Sequence, residues 1–261
     1  MNLDLQGKTA IVCGSTQGIG KAAAIELSLL GANVTLVARD EQKLKHVWGE
    51  LHHSGHQLHH YLVADFTNPN EVKKKIEEFV AKHTVHILVN NTGGPSGGQA
   101  IDANPDDFLK AFSSHLICNQ ILVQAVTPSM KKEKYGRIIN IISTSVKVPL
   151  RGLGVSNTIR GAVANWSKTL SLELGPYGIT VNNVLPGATM TGRLESIIKT
   201  NAEKKGITFD EAKQDMIKEI PLGRISEPHE VAAAIAFLAS PAAGYINGIN
   251  IPVDGGRTGS L

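Results

Sequence analysis

Residues 9–32 read TAIVCGSTQGIGKAAAIELSLLGA, and three kinds of pattern follow one another within that stretch. TAIVCG is short, apolar and rich in β-branched residues, as a strand buried on both faces requires. AAAIELSLL, which follows, reads as a helix. Between them Gly14, Gly18 and Gly20 are spaced G-x-x-x-G-x-G. Glycine permits a tight strand-to-helix turn, and it also lets backbone N–H groups approach an anion at the helix N-terminus. Turn shape alone would ask for the same residues. Their place between strand and helix makes Gly14, Thr16, Gln17, Gly18, Ile19 and Gly20 candidates for holding a nucleotide phosphate.

Working outward, short apolar runs recur: NVTLVAR, HHYLVAD, HILVNN, GRIINIIS, TVNNVLP and GINIPVDGG, with amphipathic segments in each interval. This alternation predicts an α/β fold, a single domain over 1–261 with about seven parallel strands covered by helices on both faces. Only 192–220 departs from the rhythm. Two charged helical pieces, RLESIIKTNAEKKG and TFDEAKQDMIKEI, share one connection without a strand, which predicts a helical lid over a substrate.

At the end of the second run, VARDEQKL places Arg39 before Asp40, where a dinucleotide's adenosine ribose would lie. A guanidinium there suits a 2′-phosphate and favours NADP(H) over NAD(H), although a solvated Arg39–Asp40 pair is the plainer alternative. Gln17 adds no second cation.

The 261 residues carry a formal charge of +3 from 26 basic and 23 acidic residues, with 42% hydrophobic and 19% charged content. Such a balance gives no nucleic-acid footprint, and no apolar run approaches a membrane span. Cys13 and Cys118 lie in apolar runs and read as buried thiols, consistent with a reduced, cytoplasmic setting. No secretory leader is recognisable. In ELHHSGHQLHHYL, His52 and His56 would share a face if the helix reached Gly55, but no carboxylate or cysteine converges on them, and no metal site is expected.

Further motifs extend the pattern: Asp65 in VADFT, NNTG at 90–93, GRIINIIS ending at Ser143, PGATMT at 186–191 and IPVDGG at 251–256. With the glycine turn, they resemble the short-chain dehydrogenase/reductases, a family of NAD(P)-dependent oxidoreductases with a single Rossmann-type, doubly wound domain, over nearly the whole chain. The resemblance implies that Asp65 and Phe66 border the adenine, Asn91, Thr92 and Gly93 the adenosine-side ribose, and Pro186, Gly187, Thr189 and Thr191 the nicotinamide carboxamide. It also implies a homotetramer or homodimer, joined through helices within 105–133 and 153–175. Thr92 stands where the family usually has alanine.

The catalytic set of such enzymes is asparagine, serine, tyrosine and lysine. Here Ser143 matches the serine, but the tyrosine position falls on Ser156, the lysine position on Arg160 and the asparagine position on His115. An alkyl hydroxyl is far less acidic than a phenol, and arginine stays protonated under ordinary conditions. Ser156 therefore cannot replace tyrosine as acid, whereas Arg160 can orient ribose hydroxyls or stabilise an oxyanion. An unperturbed imidazole titrates near pH 6.5, making His115 the candidate donor, unless backbone carbonyls merely satisfy it. Lys147 is a second candidate, against the alternative of a solvated loop lysine.

The sequence thus leads to an NADP(H)-dependent oxidoreductase acting on a small carbonyl or alcohol, a 3-oxoacyl thioester among the candidates, with altered proton transfer. The alternative is a nucleotide-binding regulatory or scaffold protein that has lost catalysis; non-redox chemistry in the altered pocket is a third reading. Arg193, Lys199, Lys204 and Lys205 make the start of the lid basic and able to attract carboxylate, phosphate or acyl-thioester groups, unless they are simply a solvated face.

Overall fold

The opening stretch forms the unit that its spacing predicts. In the computed structural model, which describes residues 1–260, β1 (Thr9–Cys13) turns directly into α1 (Gly18–Leu29). The remaining strands are β2 (Asn33–Ala38), β3 (His60–Val63), β4 (Ile87–Asn90), β5 (Gly136–Ile141), β6 (Ile179–Pro186) and β7 (Asn250–Val253). They make one seven-stranded sheet in the order β3-β2-β1-β4-β5-β6-β7, and every adjacent pair is parallel. The order reverses between β1 and β4. In sheets wound this way a crevice opens there, outside the carboxyl ends of the strands.

Helices cover both faces because parallel strands need crossovers. On one face α1 meets α9 (Pro228–Ala239), with Ala23, Ala24 and Leu27 packed in one core with Val231, Ala232 and Ile235. On the other, α3 (Pro69–Val80) and α5 (Cys118–Glu133) bury Ile76, Phe79, Leu122, Val126 and Met130. Each large apolar side chain so buried stabilises the fold by about 1.5–3 kcal/mol. Cys13 and Cys118 are both free and buried in this second core, and burial pushes both thiols up, Cys118 to about 11, so neither is a ready nucleophile.

A polar line crosses the sheet near its carboxyl edge. Asn90 Nδ2 donates to Asn140 Oδ1 (2.8 Å), Asn140 Nδ2 to Asn183 Oδ1 (3.0 Å), and Asn183 Nδ2 to Asn250 Oδ1 (2.8 Å). These residues are register partners across β4, β5, β6 and β7. The same line fixes the relative heights of the strand ends from which the site's loops depart.

Two segments stand apart from this regular alternation. The helix after β2, α2 (Glu41–Glu50), ends well before Gly55: Leu51 turns extended and is buried, and His52 N donates to Ser28 Oγ instead of continuing the helix. His52 and His56 therefore share no helical face. The segment 192–220 does hold two helices, α7 (Gly192–Lys205) and α8 (Phe209–Lys218), without a strand between them. Their own small core of Leu194, Ile198, Ala202, Ala212 and Ile220 includes Ala188 from the loop after β6.

Candidate active site

Glycine at the first turn is a steric requirement. Gly14 and Gly18 have φ of 59° and 54°, in the left-handed region that glycine tolerates. A Cβ on Gly14 would lie 2.3 Å from Asn91 O, and one on Gly20 2.2 Å from Gly14 O. Asn91 completes the turn from the side, its Nδ2 donating to Cys13 O (3.2 Å) and Gly14 O (3.3 Å). Asn91 thus shapes the cradle directly. Gln17, at the N-cap of α1, makes no side-chain cap, and the first turn of α1 contains no acid. Its N–H groups are left facing the mouth of the turn, as an anion site needs.

At the end of β2, Asp40 is already occupied. It caps α2 by accepting from Lys43 N (3.1 Å), and its ion pair is with Lys43 Nζ (3.5 Å). Arg39 is exposed and, among the described residues, has no ion pair within contact distance. The plainer alternative of an Arg39–Asp40 pair is not what forms. Asp65, after β3, accepts from Thr67 N (2.9 Å), and Arg39 helps to hold its carboxyl below the usual range, after the hydrogen bonds from Thr67. Phe66 follows half-buried, its carbonyl accepting from the Cys118 thiol.

The loop after β6 closes towards the glycine turn. Gly187 N donates to Val253 O (2.9 Å), and a Cβ on Gly187 would lie 2.6 Å from Asp254 Cβ, so the Pro186–Gly187 corner fits only without a side chain. Thr189 Oγ1 accepts from Ser226 Oγ (3.0 Å), and Thr191 caps α7. A Cβ on Gly18 would meet Thr191 Cγ2 at 3.0 Å, so the strap from β6 lies against the turn from β1.

The second cluster gathers around β5 and α6 (Gly154–Leu174). Ser143, two residues past β5, accepts from Ser145 N (3.1 Å) and so starts a short 3-10 turn, leaving its hydroxyl proton free to be donated. Ser156 and Arg160 lie one turn apart in the first part of α6, and both are buried. Arg160 Nη1 donates to Ile141 O, the last residue of β5 (2.8 Å). α6 packs against both the turn after Ser143 and the turn that carries His115.

His115 sits in a π-helical turn, Ser113–Ile117, between α4 (Pro105–Phe112) and α5. Such turns recur at functional sites, because they offset one residue from the helical register. Its ring is 2% exposed, and Nδ1 shares a 2.5 Å hydrogen bond with Thr92 Oγ1. Burial lowers its pKa to about 3, with Arg160 and then Arg193 contributing in the same direction. The expectation of an imidazole titrating near neutrality is therefore corrected. His115 is uncharged at pH 7, able to hydrogen-bond but not to deliver a proton as imidazolium. Lys147 follows the turn after Ser143 and is half-buried.

Arg193 is the residue whose role the sequence concealed. From the first turn of α7 its guanidinium donates to Gly94 O (2.7 Å) and Pro95 O (2.9 Å), joining the strap after β6 to the loop after β4. Glycine at 94 makes room for it, since a Cβ there would lie 2.6 Å from Arg193 Cζ. The available signal was an arginine just after the capping threonine, together with the paired glycines 93 and 94. The loop continues against α6, with Gly154 N donating to Gly98 O (3.0 Å).

Comparison with known proteins gives this frame a lineage. A family model described as enoyl-(acyl carrier protein) reductase matches residues 14–258. The chain belongs to the short-chain dehydrogenase/reductase family. It is 33% identical over 253 residues to the 3-oxoacyl-(acyl-carrier-protein) reductase FabG of Haemophilus influenzae, covering 97% of this chain and 98% of that one. It is 31% identical to the 7alpha-hydroxysteroid dehydrogenase of Escherichia coli K12, covering 100% and 98%. The L-sorbose reductase of Gluconobacter frateurii, solved with NADPH and L-sorbose, superposes with a TM-score of 0.93 at 28% identity over 100% of both chains. As in these relatives, oxidoreductase chemistry is the family's business, and the seven-stranded parallel sheet is its frame. Among the described residues no helix is long and apolar enough to cross a membrane.

Proposed function

We propose that the protein is an NADP(H)-dependent oxidoreductase acting on a small carbonyl or alcohol substrate. The observation that carries the reading is the separation of Arg39 from Asp40: the acid is spent on capping α2, and the guanidinium stands exposed beyond β2 without an ion pair to it. The glycine cradle fits a dinucleotide, because its Cβ positions are closed to any side chain and the first turn of α1 is open to an anion. When bound, the cofactor supplies the hydride. Gly14, Thr16, Gln17, Gly18, Ile19 and Gly20 hold its phosphates, Arg39 the 2′-phosphate, Asp65 and Phe66 the adenine, and Asn91, Thr92 and Gly93 the adjoining ribose. Pro186, Gly187, Thr189 and Thr191 hold the carboxamide, and the helices of 192–220 cover the substrate. A 3-oxoacyl thioester is one candidate substrate, supported by the likeness to the H. influenzae reductase.

In this reading Ser143 donates its free hydroxyl proton in a hydrogen bond to the substrate carbonyl. Arg160, fixed on Ile141 O, would place positive charge beside a developing alkoxide and would hold the ribose hydroxyls on the nicotinamide side. His115 holds Thr92 in place and stays neutral. The proton that the alkoxide takes up comes from solvent. The chain assembles as a homotetramer or homodimer through α4, α5 and α6, whose exposed Leu109, Phe112, Ile117 and Leu172 support such an interface.

A second reading, a nucleotide-binding regulatory protein without turnover, is favoured by one observation: Ser156, Arg160 and His115 include no group that exchanges a proton at pH 7. Titrating NADPH and NADH separately by fluorescence, then screening carbonyls for oxidation of the bound form, decides between them. Tight NADPH binding with measurable turnover supports the enzyme. Binding without turnover across a broad panel supports the second reading, and no binding of either nucleotide overturns both.

A further inference from the structure

The strand order sets two loops on either side of the end of β5. β4 and β6 are its neighbours in the sheet, and Ser143 lies just past its carboxyl end. A bond between the loop after β4 and the strap after β6 therefore spans the end of β5. Arg193 makes such a bond, from the first turn of α7 to Gly94 O (2.7 Å) and Pro95 O (2.9 Å). Below it the strap is pinned by Met190 N donating to Ser226 O (2.8 Å) and Ser226 N to Ala188 O (3.0 Å), and α7 and α8 keep their own core. Arg193 can thus let go while the strap and its helices stay folded.

The loop after β4 has little stiffness of its own, because Gly93, Gly94, Gly97 and Gly98 fall within the run TGGPSGG. It is held from outside instead. Asn91 Nδ2 donates to Cys13 O and Gly14 O, Thr92 Oγ1 meets His115 Nδ1, Gly94 and Pro95 accept from Arg193, and Gly98 N donates to Gly152 O (2.8 Å) ahead of α6. The Asn91 and Thr92 fastenings are part-buried, whereas the Arg193 fastening is exposed, so water can take the place of either carbonyl. Exposed hydrogen bonds of this kind open locally long before a core does.

We infer that Arg193 is a clasp across the nucleotide crevice, and that its release from Gly94 and Pro95 lets the nucleotide enter and leave. The inference rests on the oxidoreductase reading for its ligand. That reading gives a ribose to Asn91, Thr92 and Gly93 and the carboxamide to residues of 186–191, segments that end directly ahead of Gly94 and of the first turn of α7. The clasp therefore joins the two loops just beyond the parts that hold the ligand. Both hydrogen bonds run between protein groups, so they oppose passage in either direction. Arg193 is a positioning residue: it acts through the loop it holds.

A clasp has a kinetic signature that a ligand contact lacks. Losing a contact speeds release alone and weakens binding in proportion, whereas losing a barrier speeds entry and release together. Gly94→Ala opens the clasp without changing its charge, since a Cβ there would lie 2.6 Å from Arg193 Cζ and must displace the guanidinium, while φ at Gly94 is not in the left-handed region. Stopped-flow fluorescence with NADPH compares the parent protein with Arg193→Gln, Gly94→Ala and the double variant. Each single change should raise both rate constants by about five-fold, with Kd within about three-fold of the parent and no further gain in the double variant. Arg193→Lys keeps a donor but not the fork, and should retain part of the barrier. Unchanged rates in Arg193→Gln, faster release without faster entry, or additive effects in the double variant overturn the inference. Hydrogen exchange on cofactor-free protein gives a second readout: peptides covering 92–98 should exchange faster in both single variants, and unchanged exchange overturns the clasp. Failure of NADPH and NADH to bind counts against the oxidoreductase reading alone, because the exchange comparison still supports or overturns the clasp.

Discussion

Thr92 and His115, far apart in the chain, meet at 2.5 Å through Oγ1 and Nδ1. Both are departures from what the family resemblance leads one to expect, alanine at one position and asparagine at the other. A hydroxyl and a buried imidazole each need a partner, so each substitution supplies what the other requires. Thr92→Val should leave the buried ring nitrogen unpaired and destabilise the protein by about 1–3 kcal/mol. Thr92→Ala combined with His115→Asn should cost less than the sum of the single changes, and chemical denaturation of the four members of the cycle measures the difference. Additive losses would mean that the pair is not coupled.

The same burial gives stability a pH dependence of definite sign. His115 binds a proton at about pH 3 in the folded state and near 6.5 when unfolded. The unfolded chain therefore takes up more protons between those values. The histidine's contribution is fully present above pH 6.5 and is lost as pH falls towards 3, by up to about 1.4 kcal/mol per pH unit. His59, His60 and His86 are lowered by burial too and act in the same direction. His115→Asn should make the acid limb of a stability-versus-pH curve visibly shallower than in the parent protein. An unchanged limb would place the acid sensitivity in the other three.

Much of the frame was legible because its signals are local. The seven apolar runs, the glycine spacing and the strandless stretch at 192–220 each declare themselves within a few residues, and backbone sterics leave little choice at Gly14 and Gly20. What was not legible depends on contacts across the sheet. Nothing around His115 announces that its ring will be buried against Thr92, and an unperturbed pKa was the only value the sequence supplied. Likewise Asn90, Asn140, Asn183 and Asn250 look like polar interruptions of apolar strands until strand register brings them into line. The end of α2 at Glu50 was hidden for the same reason, since Ser28 takes His52 N from the helix.

Nucleotide preference follows from Arg39. A charge-assisted hydrogen bond contributes about 1.5–3 kcal/mol, so Arg39→Asp should weaken NADPH binding roughly 10- to 100-fold. NADH binding should change little or improve, because a carboxylate at a strand end suits a free ribose hydroxyl. Separate fluorescence titrations of the variant with each nucleotide give the answer. An unchanged ratio of the two dissociation constants would remove Arg39 from the cofactor site.

Restoring the phenol and the ammonium tests whether Ser156 and Arg160 stand at the reacting centre. Ser156 is buried on the inward face of α6, so a tyrosine there either projects into the crevice or forces the core apart. If it reaches the crevice, Ser156→Tyr with Arg160→Lys provides an acid whose pKa a neighbouring cation lowers, and such a group contributes about 10²- to 10⁴-fold in favourable cases. The double variant should therefore raise kcat on a carbonyl substrate by about ten-fold or more, with a new pH dependence above neutrality. Ser156→Tyr alone should gain less, because the Arg160 guanidinium is already engaged on Ile141 O. A fall of several degrees in Tm without any gain in rate would show overpacking and place residue 156 outside the reaction path. A gain in rate would show that the pocket still accommodates the chemistry its present residues do not perform by the usual route.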